Sequence, residues 1–194
     1  MNDVIFHDDL GGIKLGKAMN NSKTINCLIH LDDELRKENN LSLGHYIGID
    51  ICREEGSKYD CTPDDAIVFA FTGMGGDHFA FDTKNGRIED LDAAPILFIQ
   101  PMMFDNPLKL VAHHIRDLFS IFLTLKEFYI LERFGRYHKE SDMLEDIEKY
   151  YKESSISRQH EISFISERLQ DRLNIAPIPN LFKYITEMNG ESTL

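Results

Sequence analysis

Thr72-Gly73-Met74-Gly75-Gly76-Asp77-His78 is the stretch of this chain most suggestive of chemistry, because backbone N–H groups in a glycine-rich turn can cradle an anion. It departs from the common phosphate-binding patterns. No Gly-Lys-Ser/Thr closes it, and His78 stands where G-x-G-x-x-G needs its third glycine. Apolar strand-like residues follow it, where a phosphate loop would open a helix. The expected role is a bulged or irregular strand connection that needs glycine backbone.

Other groups offer less. His78 with Asp77 and Asp82, and His7 with Asp8 and Asp9, present acid–base or hard-metal atoms without a recognisable ligand spacing. His113-His114 falls in a predicted helix, where adjacent residues point about 100° apart and do not share a metal as i, i+4 ligands do. No G-x-S-x-G or H-E-x-x-H is present, and Cys27, Cys52 and Cys61 lack the context of a catalytic thiol. The carboxylate pairs Asp32-Asp33 and Asp64-Asp65 read as solvated surface. The residues therefore predict no catalytic site, no metal and no cofactor, although a hydrolase site assembled from distant Asp and His residues remains a third class of reading.

The elements that would position these groups are signalled by periodicity. Ile25–Leu31 and Tyr46–Ile51 are short, rich in β-branched residues and predicted as strands, with a helical turn or two over Asp32–Glu38 before the Asn39-Asn40 break. Ala66–Phe71 is apolar on both faces, as a central strand is, and His78–Asp82 alternates. Asn85-Gly86 predicts a tight hairpin turn into a strand at Arg87–Leu91, and Pro95–Gln100 completes a meander of at least four strands. Asn106, Pro107 and Gly135 carry the capping chemistry of one long helix over 107–134, with Phe119 and Phe122 on its buried stripe. Amphipathic helices follow near 141–153, 157–173 and 180–188, the last two separated by Pro177 and Pro179. The expected fold class is α+β, a mainly antiparallel sheet packed against a long helix. The domain reading is 1–135, with a helical C-terminal extension over 136–194 on the same core.

Composition sets the outer bounds. The 194 residues suffice for one domain, and 42% apolar with 28% charged residues is ordinary for a globular protein. Three cysteines without C-x-x-C spacing argue against a disulfide framework or zinc ribbon, and neither a leader peptide nor a membrane span is signalled; the expected compartment is the cytoplasm. The net charge is −12, and residues 1–104 hold 18 acidic against 9 basic side chains. Such a surface repels phosphate backbones and anionic lipid, so the expectation is no nucleic acid, no membrane and attraction to a basic partner.

Between residues 67 and 119 stand Phe69-Ala70-Phe71-Thr72-Gly73, Gly76-Asp77-His78-Phe79, Asp82, Gly86, Ala94-Pro95-Ile96, Pro101, Val111-Ala112 and Phe119. In these residues and their order the chain resembles the SUKH superfamily, the SMI1/KNR4 family. The resemblance implies an α+β domain that binds another protein: bacterial relatives commonly neutralise a polymorphic toxin, often a nuclease, and non-bacterial relatives are associated with regulation of cell-wall synthesis. The family's N-terminal helix and Leu-Pro segment are not recognisable here. The resemblance supplies no catalytic residues. Taken with the charge, it makes a non-enzymatic immunity protein or antitoxin the leading expectation, with Asp64, Asp65, Asp77 and Asp82 as the partner-binding residues. A regulatory or scaffolding homo-oligomer, joined through the long apolar helix and the C-terminal helices, is the runner-up.

Overall fold

A computed structural model describes residues 21–191; the His7, Asp8 and Asp9 group lies outside them. The fold is α+β, built on a five-stranded antiparallel sheet. The strands are β1 (Asp50–Ile51), β2 (Ile67–Phe71), β3 (His78–Phe81), β4 (Ile96–Ile99) and β5 (Leu108–Ala112), and each pairs with its sequence neighbour. Helices α1 (Lys23–Asn39) and α2 (Leu43–Ile47) precede the sheet; α3 (Ile115–Leu125), a 3₁₀ helix (Phe128–Arg136), α4 (Glu140–Glu153), α5 (Ile156–Leu173) and α6 (Leu181–Glu191) follow it.

The first expected strand is a helix. Ile25, Leu28, Leu31 and Leu35 are all buried at helical spacing, and the alternation of Ile25, Cys27, Ile29 and Leu31 is a coincidence of the same residues. Ser22 caps α1 by accepting from the Ile25 N–H at 3.0 Å. Asp92 reaches the same helix end from 70 residues away, accepting from the Ser22 hydroxyl at 2.6 Å and the Lys23 N–H at 3.0 Å, where an anion complements the helix dipole. Asn40 closes α1 in the left-handed conformation at φ 58°. Residues 46–51 likewise divide between the end of α2, stopped by Gly48 at φ 78°, and the short β1.

Around the core strands the expectation holds more closely. All four residues of β3 are buried, because both faces of the sheet are covered and no side of the strand meets water. Phe69, Phe79, Phe81 and Phe98 face the helices, whereas Val68, Ala80 and Ile99 form a smaller cluster with Cys61, Phe71 and Leu97 on the other face. The strand expected at 87–91 is absent. Lys84, Asn85 and Gly86 do turn the chain with positive φ, but the segment runs irregularly into a 3₁₀ turn at Leu91–Ala93, and β3 pairs instead with β4, Phe79 opposite Phe98.

The long helix expected over 107–134 is three elements. Asn106-Pro107 sits in the β4–β5 turn, where the Pro107 carbonyl accepts from the Gln100 N–H at 2.8 Å, and Leu108–Ala112 continues as a strand. His114, not Asn106, caps α3, its Nδ1 accepting from the Asp117 N–H at 3.2 Å. His113-His114 is therefore not helical, although the pair still does not converge. Lys126 ends α3 in the left-handed conformation at φ 67°, and the 3₁₀ helix carrying Gly135 follows. Phe119 and Phe122 are buried.

The C-terminal helices pack where their periodicity requires. Met143, Ile165, Leu169, Leu173, Leu181 and Ile185 belong to the same apolar cluster as α1, α3 and the sheet. Three arginines of α5 clasp earlier elements: Arg158 donates to the carbonyls of His45 and Tyr46 and to Glu127, Arg168 pairs with Glu38, and Arg172 pairs with Glu34.

Candidate functional site

Large apolar side chains in contact with water are the least expected feature of a folded chain when they cluster. Six of the eight exposed among the described residues gather at one end of the sheet: Tyr59, Met74, Met102, Met103, Phe104 and Leu108. Phe104 is 86% exposed. They ride on three segments: the loop before β2, the glycine loop 72–77 between β2 and β3, and the β4–β5 turn. The segments touch: a cleft is lined jointly by Lys58, Tyr59, Asp60, Cys61, Pro101 and Phe104, and a side chain added at Gly75 would meet Met102 at 3.6 Å.

Buried polar contacts hold this surface in shape. His78 is fully buried, with Nδ1 2.8 Å from the Gly76 carbonyl and Nε2 3.0 Å from Thr62 Oγ1. A carbonyl only accepts, so Nδ1 carries the proton and Nε2 accepts from the Thr62 hydroxyl. Thr62 Oγ1 in turn accepts from the Tyr59 N–H at 3.0 Å, and the Tyr59 and His78 rings stack at 5.6 Å. Gly76 has φ 82°, and a Cβ there would stand 2.5 Å from the Tyr59 ring, so this position requires glycine on both counts. Beside it, buried Asp77 accepts from Gln100 Nε2 at 3.0 Å, and Lys109 Nζ donates to Gln100 Oε1 at 2.6 Å and to the Glu132 carbonyl at 3.1 Å. The glycine loop, the β4–β5 turn and the 3₁₀ helix are thus cross-tied. Satisfied networks of this kind rigidify what they join.

Burial holds the His78 pKa below that of a free imidazole, against the raising effects of the Gly76 carbonyl and the Asp77 charge. The folded state therefore resists protonation of a ring that the unfolded chain protonates near pH 6.5. The stability contributed by neutral His78 is complete above about pH 6.5 and is lost as pH falls from there through the lower folded value. The unfolding free energy should decline across that window in urea titrations, and His78→Gln should flatten the decline. A slope unchanged in the variant would show that another group causes it.

The four carboxylates expected to meet a partner do not form one surface. Asp77 is buried beneath the patch and bonded to Gln100. Asp65 accepts from the Asn85 N–H at 2.6 Å and from Thr83 Oγ1 at 3.3 Å, and these bonds hold its carboxyl below the usual range, the Asn85 bond foremost. Asp82 accepts from the Lys84 N–H at 2.9 Å and pairs with Lys84 Nζ at 2.7 Å. Asp65 and Asp82 thus brace the 83–86 turn, at the end of β3 away from the apolar patch. Asp64 alone is freely exposed; its carbonyl accepts from Lys58 Nζ at 2.8 Å.

Charge surrounds the patch nonetheless. Segments 53–64 and 100–107 expose Glu54, Glu55, Asp60, Asp64 and Asp105 against the cations Arg53 and Lys58, with Asp60 and Asp105 beside Phe104. Nothing here resembles a nucleophile and its base: both nitrogens of His78 are engaged, and burial pushes the Cys52 thiol up to about 11, away from the reactive thiolate. Among the described residues no three His, Cys, Asp or Glu side chains converge as a metal-binding group. No helix among them is long and apolar enough to cross a membrane.

The Met102-Met103-Phe104 surface was not singled out from sequence. Its signal was available: three large apolar residues between Pro101 and Asp105-Asn106-Pro107 stand in turn-forming company, where a core segment is not expected. No family model, no curated protein and no solved structure matches this chain.

Proposed function

We propose that this chain is a non-enzymatic protein-binding module that covers a basic protein, in the manner of an immunity protein neutralising a toxin domain such as a nuclease. The carrying observation is the apolar end of the sheet, six exposed side chains on cross-tied loops amid an excess of carboxylates. Methionine and aromatic side chains suit such a task, since they adapt to a partner's shape and release much apolar surface from water. The surrounding acid favours a cationic partner by steering its approach, and it disfavours nucleic acid and a second copy of this chain through like-charge repulsion. The homo-oligomeric scaffold, expected to join through the long apolar helix and the C-terminal helices, has less support: the apolar residues of α3 are buried, and the C-terminal helices expose only Leu144 and Ile156 as large apolar side chains among the described residues.

The SUKH resemblance adds to this reading. Its segment spans β2 to β5 and the start of α3, the glycine loop and the β4–β5 turn included. We place the protein's work in a reducing cytoplasm, where Cys27, Cys52 and Cys61 stay as the free thiols seen here.

The test is purification of the protein from its native host with its bound partner, then reconstitution of the identified pair. Association should slow as salt is raised, and more modestly in Asp64→Lys, with dissociation little changed. Asp65 is left intact because it braces the 83–86 turn. Association rates indifferent to both changes would remove the electrostatic part of the proposal.

A further inference from the structure

The proposed docking surface continues past Met74 into a cleft of about 360 Å³ between the glycine loop and the 3₁₀ helix. Ile47, Met74, Phe98, Phe128 and Tyr129 supply apolar and aromatic walls, and Glu132 stands among them. A second carboxylate, Glu127, also lines the cleft but is already committed to Arg158, at 3.1 Å. Glu132 has no such partner. Among the described residues its carboxylate makes no ion pair and accepts no hydrogen bond; of the cations near it, Lys109 is bonded to Gln100 and the Glu132 backbone carbonyl and Arg133 to Asp146, while Arg136 stands exposed to solvent.

From this geometry we infer that the cleft receives an arginine side chain of the partner, its guanidinium on the Glu132 carboxylate and its methylene stem along Met74. The inference rests on the protein-binding reading and names the contact that reading requires. Arginine is favoured over lysine by the walls, because a planar, weakly hydrated guanidinium stacks on aromatic rings while forming a two-point bond to a carboxylate. The cleft is at the lower limit of cofactor-sized pockets and suits a single side chain.

The charges around Glu132 point the same way. Partial burial holds its carboxyl above the usual range, and Asp77 adds to this; Lys109, Arg133 and Arg136 oppose the shift without abolishing it. Glu127 and Tyr129 are the other titratable groups lining the cleft. An anion left short of neutralisation is relieved by an incoming cation, so occupation should draw the Glu132 pKa down. Arginine keeps its charge throughout the accessible pH range, so binding is lost as pH falls through the raised Glu132 value, higher than for an ordinary carboxylate.

The probe is Nα-acetyl-arginine methylamide, titrated at low salt into the isotope-labelled full chain while the Glu132 carboxyl carbon is followed by NMR. The neutral citrulline analogue, of nearly the same shape, and the lysine analogue serve as controls. Binding on the order of millimolar is expected for one side chain, with a lowered Glu132 pKa, no shift with citrulline, and about tenfold weaker binding in a folded Glu132→Gln variant. Absence of a shift, equal binding of citrulline, or undiminished binding to Glu132→Gln overturns the site; lysine binding as tightly as arginine overturns the choice of side chain. With the purified partner, Glu132→Gln without effect beside a weakened Phe104→Ala defeats this inference alone. Both variants without effect defeat the docking surface itself.

Discussion

Replacing Phe122 with alanine should lower the unfolding free energy by about 3–5 kcal/mol, and Phe119→Ala should cost a similar amount. Both rings are fully buried, and both contact Phe128 of the 3₁₀ helix, with ring centres 5.2 Å and 6.1 Å away. Phe128 in turn lies 5.6 Å from Phe79, which stacks on Phe98 at 4.8 Å. A continuous column of rings therefore runs from α3 through the 3₁₀ helix into the centre of the sheet. The 3₁₀ helix is the weak member, because nine residues are long for that hydrogen-bond geometry and its side-chain contacts must hold it in place. Phe119 and Phe122 are packed among the buried residues of α3, the 3₁₀ helix and the sheet, which limits how far the core can collapse into a cavity and places the loss toward the upper part of the range. Equilibrium unfolding in urea reads it as a lowered midpoint with little change in slope. A loss below about 1 kcal/mol would place the residue outside the core.

Phe104→Ala should do the reverse. It should weaken partner binding by about 2 kcal/mol or more, roughly 30-fold, as loss of an aromatic anchor at the heart of an interface does. Folding stability should stay within about 0.5 kcal/mol, because a ring that is 86% exposed contributes little to the core. Binding titration and denaturation of the same preparation make the comparison. Stability lost with binding kept would remove Phe104 from the docking surface and assign it a place in the fold.

Elements whose apolar pattern had one interpretation were legible in the sequence. β2 and β4 are apolar runs too short for helices, and α4, α5 and α6 repeat their apolar residues at helical spacing between clear breaks. The errors fell where two periods shared residues or where a cap was ambiguous. Ile25, Leu28 and Leu35 sit at helical spacing, yet Ile25, Cys27, Ile29 and Leu31 alternate, and the docking of Asp92 on the helix start is a tertiary contact that no local pattern contains. Asn106-Pro107 has the chemistry of a helix start and of a turn alike; the pairing of Leu110 with Leu97 across β4 and β5 decides for the turn. At the site, the glycine loop was noticed for its backbone, whereas its exposed passenger Met74 and the neighbouring Met102-Met103-Phe104 carry the surface. Sequence marks a residue as apolar without saying whether the fold buries it. The chosen aspartates show the converse, since Asp77 looked like surface and lies beneath it.

The arginine clasp of α5 has a consequence for biosynthesis. Its partners Glu34, Glu38, His45 and Tyr46 lie more than 110 residues earlier in the chain, and synthesis at about 5–20 residues per second separates the two halves of the clasp by several to some tens of seconds. During that interval α1 and α2 have left the ribosome while the helix that closes over them has not been made. These contacts of α5 are far longer in sequence than the neighbour-to-neighbour pairings of the sheet, which slows their closure relative to the sheet's own. Assembly is therefore gated by the emergence of residues 156–173, and a nascent chain paused before them exposes an unfinished apolar surface on which chaperones would act.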